Sequence, residues 1–218
     1  MKITVLVIAI AMAVPRTLAQ ANEFAVVIGG AASPNSSTPF PSASTRTPLK
    51  IGSGITYEGV FAHLLLDVRA VSAYLELPIA GTPSRTVSGI NVATRDFSSV
   101  LFTPSLKLQL RPLAGFTPFL SIGGGFAHFN TTQEGRAGPG VGIPFISSVS
   151  NTSAALQFGA GLEFKTAISR LGLRAELRDF RTGRPDLGFP TSFLDADTQH
   201  NLFIGGGVVL HFSLPSGT

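Results

Sequence analysis

The segment LGLRAELRDF (171–180) sets Leu171, Leu173, Ala175 and Leu177 on one parity and Gly172, Arg174, Glu176 and Arg178 on the other. Successive side chains of an extended strand point to opposite faces, so this period of two predicts a strand with one apolar and one polar face. The pattern recurs. In SAALQFGAGLEFKT (153–166), Leu156, Phe158, Ala160, Leu162 and Phe164 oppose Gln157, Gly159, Gly161, Glu163 and Lys165. In VLFTPSLKLQLR (100–111), Val100, Phe102, Leu106, Leu108 and Leu110 oppose Thr103, Ser105, Lys107, Gln109 and Arg111. AVSAYLELP (70–78) and HNLFIGGGVVLHF (200–212) repeat the pattern. Eight segments qualify, near 23–31, 50–61, 70–78, 99–112, 116–129, 154–166, 170–180 and 199–212.

The connections alternate in length. Residues 33–49, 81–97, 131–151 and 181–198 are long and rich in Ser, Thr, Pro and Gly, whereas 62–69, 113–115 and 167–169 are short. A soluble sandwich has no need of such a rhythm. A membrane-spanning barrel has: short turns at one end, long loops at the other, an even strand number and segments of about ten residues.

The N-terminus points the same way. Met1-Lys2 precedes the apolar run ITVLVIAIAMAV (3–14), and Ala19-Gln20-Ala21 fits a signal-peptidase site. The run is shorter than the roughly 20 residues that a transmembrane helix needs. The expected organisation is a signal peptide at 1–21, a barrel at 22–212 and a short tail at 213–218. Cleavage removes Lys2 and Arg16, which takes the net charge from +4 to +2 and leaves no case for a nucleic-acid partner. The chain has no cysteine, which excludes disulfides, thiolate chemistry and an acylated N-terminal Cys.

These features predict an all-β fold: an eight-stranded antiparallel up-and-down transmembrane barrel with short periplasmic turns and long external loops. In lipid the apolar parity faces outward and the polar parity inward. Eight strands leave an interior just wide enough to be filled by side chains, so inward charges must pair with one another. The expected lumen network sets Glu58, Glu76, Glu163 and Glu176 against Lys107, Arg111, Lys165, Arg174 and Arg178, near electrical balance. Inward glycines at 123, 125, 159, 161, 205 and 207 are expected to leave room for the long arginines. A soluble barrel of lipocalin type would reverse the faces and bind a small apolar ligand. Its charged face would have to cover a whole surface, for which one or two charges per strand are sparse.

The pieces TYEGVFAHLLLDVRAVSAYLELPIAGTPS, FTPSLKLQLRPLAGFTPFLSIGGGFAHF, FGAGLEFKTAISRLGLRAELRDFRTGRPDLG and QHNLFIGGGVVLHF resemble the outer-membrane β-barrel proteins of Gram-negative bacteria, in particular the small eight-stranded, outer-membrane-protein-A-like barrels. The resemblance covers roughly 22–212 and implies architecture more than activity. It implies outer-membrane lipid, lipopolysaccharide and the barrel-assembly machinery as partners, the last reading a terminal aromatic residue that Phe212 would supply. The tail SLPSGT departs from that pattern, as does the absence of Trp, which leaves Phe to form the interfacial girdles. A monomer is expected.

No catalytic residue, cofactor or metal is assigned. Some outer-membrane enzymes modify lipid A, and the deacylase type carries a His-x-Ser pair on one strand; here the nearest stretch is His128-Phe129-Asn130, and Asn is no acyl acceptor. His200 and His211 lie too far apart on one strand to share a metal, and His63 stands alone. GPGVGIP (138–144) lacks the Lys-Ser/Thr of a phosphate loop. Arg181 and Arg184 reach the predicted external rim, where guanidinium forks suit lipopolysaccharide phosphates; ion pairs with Asp179 and Asp186 are the plainer alternative. Sequons at Asn35, Asn130 and Asn151 read as loop composition. The intact mass of the purified exported protein is expected to correspond to a chain beginning at Asn22; a mass retaining residues 1–21 would contradict the assigned cleavage.

Overall fold

A computed structural model describes residues 21–33, 50–89, 92–131, 149–168, 170–183 and 198–213, and every regular element among them is a β-strand. The strands are β1 (Ala21–Ala32), β2 (Lys50–Ile51), β3 (Gly54–Asp67), β4 (Val71–Gly89), β5 (Val92–Phe102), β6 (Ser105–Leu110), β7 (Phe116–Thr131), β8 (Ser150–Lys165), β9 (Leu171–Gly183) and β10 (Thr198–Ser213). Residues 1–20 and 214–218, and with them the predicted signal peptide up to Gln20 and nearly all of the tail, lie outside the described residues.

All pairing is antiparallel, and the sheet closes. β1 pairs β3 on one side and β10 on the other, with β10 matched from Ala21↔Ser213 to Ala32↔Leu202. The ladder continues through β10–β9, β9–β8 and β8–β7. β5 and β6 together form one stave between β4 and β7, and β2 and β3, both paired to β4, form another, so the wall has eight staves in sequence order. Closure removes every edge on which backbone groups could stand unpaired.

The faces are inside out relative to a soluble protein. Leu120 and Ile204 are 64% and 62% exposed, and Phe24, Phe158, Leu177 and Leu210 join them in an apolar surface contributed by every stave. Arg178, Lys107 and Glu76, by contrast, are 0% exposed inside the barrel. A continuous apolar belt of this kind fits hydrocarbon, not water.

Four details depart from the sequence-based expectations. The segment 81–97, read as a loop from its Gly, Pro and Ser content, is strand: β4 and β5 pair out to Gly89↔Val92, with a register shift between Thr82 and Arg85 that accommodates Pro83-Ser84. Residues 62–67 belong to β3, and the turn is confined to Val68–Val71, whose backbones bond reciprocally at 3.0 and 3.2 Å. The segment 50–61 is split at Gly52-Ser53 into β2 and β3. Asn130 and Asn151 sit in β7 and β8, not in loops, while Asn35 and residues 138–144 lie outside the described residues.

Proline and glycine mark the stave that breaks. Pro104 has no N–H to donate, and β5 gives way to β6 at Thr103-Pro104. The facing strand follows closely: Gly124 N–H donates to Pro104 O at 3.1 Å, and a Cβ on Gly125 would strike Phe102 O. The other inward glycines do not mainly serve arginines. Gly159 borders Arg178, but a Cβ at Gly161 or Gly205 would strike the Phe119 or Phe203 ring, one at Gly123 the Ser105 side chain and Pro104 O, and one at Gly207 the Val26 carbonyl. At the short-turn end, Ala114 (φ 51°) and Gly115 (φ 87°) make the tight link between β6 and β7, the left-handed pair that matches strand twist.

Gly29 and Gly30 test the packing directly. A Cβ on Gly29 meets the Ile204 carbonyl and Gly205 Cα, whereas one on Gly30 meets nothing within 4 Å. Gly29→Ala is expected to destabilise the barrel by about 1–3 kcal/mol and Gly30→Ala to leave it unchanged, as read from urea unfolding in detergent or lipid. Equal effects would refute the assigned faces.

Candidate functional site: the lumen and its outer rim

The interior is layered. Nearest the short turns and through the middle lies a charged cluster set by strand parity. Arg174 donates to Glu76 at 2.8 Å and through Nε to Glu176 at 2.8 Å, and its Nη1 stands 3.6 Å from Glu163. Arg178 reaches Glu176 at 3.1 Å and Glu76 at 3.4 Å, and its Nε approaches Glu58 at 3.1 Å as an ion pair without hydrogen-bond alignment. Lys107 contacts Glu23 and, at 3.2 Å, Glu163, and lies over the Tyr74 ring at 4.5 Å. Gln109 also donates to Glu163, at 2.7 Å. Arg174 is stacked on Phe119 with its guanidinium carbon 4.3 Å from the ring centroid.

Of the residues expected in this network, the structure brings together Glu58, Glu76, Lys107, Glu163, Arg174, Glu176 and Arg178. It does not include Arg111 or Lys165, which are exposed. Both have inward parity, but Arg111 follows the last residue of β6 and Lys165 ends β8, so their side chains clear the lumen. Glu23 on β1 takes a place that the sequence reading did not assign. The membership of the cluster differs accordingly: five buried acids lie beside three buried basic side chains, with His211 at the edge, 3.5 Å from Glu23.

Further along the strands, toward the long connections, the lumen is apolar rather than polar. Phe97, Phe129, Phe180, Phe203 and Leu101 are buried together with Val27 and three alanines. Beyond them Arg85, 3% exposed, is held by neutral groups: its Nε donates to Gly52 O, Nη1 to Asn201 Oδ1 and Nη2 to Ser33 Oγ, each at 2.9 Å. The parity rule misses Arg85 because the shift between Thr82 and Arg85 moves the inward face from even to odd numbers.

Outside the wall, at the same end, stands a polar rim. Arg181 is exposed and lies opposite His200 in the β9–β10 register. Asp179 pairs with His200 at 2.8 Å rather than with Arg181, which makes no ion pair among the described residues; Arg184 and Asp186 lie outside them. One constellation is new. His128 Nδ1 meets the Thr152 hydroxyl at 2.8 Å, and Ser150 Oγ lies 3.3 Å from His128 Nε2. No single strand carries this Ser–His pair; the β7–β8 register, with His128↔Thr152 and Asn130↔Ser150, assembles it. His63, at the opposite end, bonds Asn22 Oδ1 at 2.9 Å. Phe212 lies on β10 opposite Asn22, partly buried. Among the described residues no group of acids and histidines could hold a metal.

A closed eight-stave antiparallel barrel is the fold of the small outer-membrane barrels. Solved structures share it. Neisserial surface protein A (NspA) is 12% identical, with 89% of this chain and 98% of that one covered and a TM-score of 0.52. OprG from Pseudomonas aeruginosa is 13% identical over 89% and 98%, with a TM-score of 0.51. The outer membrane enzyme PagL is 15% identical over 84% and 97%, at a TM-score of 0.45. No family model and no curated protein matches the sequence.

Arg178→Met leaves Glu58 and Glu176 buried beside fewer cations and is expected to destabilise the barrel by about 3–5 kcal/mol. Lys165→Met is expected to cost less than about 1 kcal/mol. Equilibrium unfolding followed by circular dichroism in lipid vesicles checks both.

Proposed function

We propose that the chain is an exported outer-membrane protein with a structural or surface-binding role, non-enzymatic, acting through its external connections and rim. The observation that carries this reading is the filled lumen. Among the described residues, charged and phenylalanine side chains occupy it in successive layers, which favours the outer surface as the place of contact. Arg181 supports lipopolysaccharide as one partner: it faces outward at the long-connection end, free of an ion pair among the described residues, and a guanidinium suits a lipid phosphate. Phe212 on the outward parity of the last strand supports recognition by the assembly machinery.

The membrane-fraction protein is expected to migrate differently in SDS before and after boiling, and to give no nanosiemens conductance in planar bilayers. Arg181→Ala is expected to weaken binding of lipopolysaccharide severalfold while leaving binding of its dephosphorylated form unchanged. Open-channel currents, or a protein found in the aqueous fraction, would contradict the reading.

A second reading, a lipid A-modifying enzyme, is favoured by one observation, the Ser150–His128 contact. A serine beside an imidazole is the start of a nucleophilic site. Here, however, the far nitrogen meets Thr152, not a carboxylate that would stabilise an imidazolium. Mass spectra of lipid A from cells expressing the protein and its Ser150→Ala variant are expected to be the same. An acyl chain lost only with the unaltered protein would establish the enzyme.

A further inference from the structure

We propose that the external mouth of the lumen holds a small monatomic anion of the chloride class, bound by Arg85. Three observations converge. First, Arg85 is a buried cation without a counter-charge among the described residues. Arg174 and Arg178 each meet several carboxylates, whereas no acid among the described residues pairs with Arg85. Its contacts are a carbonyl, an amide oxygen, a hydroxyl and the Phe97 ring at 5.7 Å. An ionised group out of water is costly unless an opposite charge accompanies it.

Second, a void of about 10 Å³ is bounded by Arg85, Thr56, Thr82, Ser99, Asn201 and the phenylalanine layer. That is room for roughly one water-sized particle, the size class of a monatomic ion rather than of a phosphate or a lipid headgroup. Third, the lining supplies donors. The three bonds that Arg85 makes leave guanidinium N–H groups spare. Thr56 and Thr82 share one bond at 2.6 Å, which uses a single hydroxyl hydrogen and leaves the other free to donate elsewhere. The acidic cluster does not compete for this place, since Glu58 and Glu76 are engaged by Arg174 and Arg178 on the far side of the apolar layer.

The anion acts locally, as the counter-charge that Arg85 lacks among the described residues. Crystals of the full-length protein grown in sodium bromide test this. An anomalous bromide peak within hydrogen-bonding distance of Arg85, absent in Arg85→Met, is expected. Water density without an anomalous signal, or a carboxylate of the chain itself against Arg85, would overturn the proposal. An independent arm compares thermal unfolding in sodium chloride and sodium gluconate at equal ionic strength. Chloride is expected to stabilise the unaltered protein, by roughly 100-fold in the folded-to-unfolded ratio at 100 times its dissociation constant, and Arg85→Met is expected to lose that response. An equal salt response in both proteins would also refute it. Should Arg85→Met fail to fold, the bromide signal of the unaltered protein decides alone.

Discussion

A backbone entering hydrocarbon must satisfy its own N–H and C=O groups, and the rest of this structure follows from that requirement. A sheet meets it by closing, as the β1–β10 ladder does here. Closure then separates two faces with no exchange between them, one in lipid and one enclosed. The apolar parity of each strand takes the first, and the charged parity is confined to a space too narrow for bulk water. Arg174 and Arg178, each bonded to carboxylates from other staves, are the consequence of that confinement and also what ties opposite walls together.

The confinement also sorts the interior by chemistry. Long charged side chains fill the middle, phenylalanines fill the next layer, and Arg85 with its hydroxyl neighbours lies beyond it. Among the described residues these layers pack on one another, apart from the small void at Arg85. The Ser150–His128 contact shows how such a wall can assemble reactive groups from neighbouring strands that are distant in sequence.

Much of the fold was legible because period-two alternation reports which face a residue takes. Leu156, Phe158, Leu173 and Leu177 are outside, and Glu163, Arg174, Glu176 and Arg178 inside, by parity alone. Parity does not report where a strand ends in space, and so Arg111 and Lys165 were drawn into a network that they overhang. It also fails across a bulge. Pro83-Ser84 made β4 look like a loop and hid Arg85, the residue on which the mouth is built. Composition misled in a third way: inward phenylalanines at 97, 129, 180 and 203 make half of the lumen apolar, where charged strands alone suggested a polar one. The Ser150–His128 pair depends on register between strands, which no single segment contains.

The central claim is that the apolar parity meets lipid and the other parity does not. The chain has no tryptophan, so single tryptophans can report on it without interference. Phe158 is 47% exposed on the outer face and Phe180 is 2% exposed in the lumen. In vesicles of brominated phospholipid, the fluorescence of Phe158→Trp is predicted to be strongly quenched and that of Phe180→Trp to be spared. Quenching of Phe180→Trp alone, or of neither, would contradict the account.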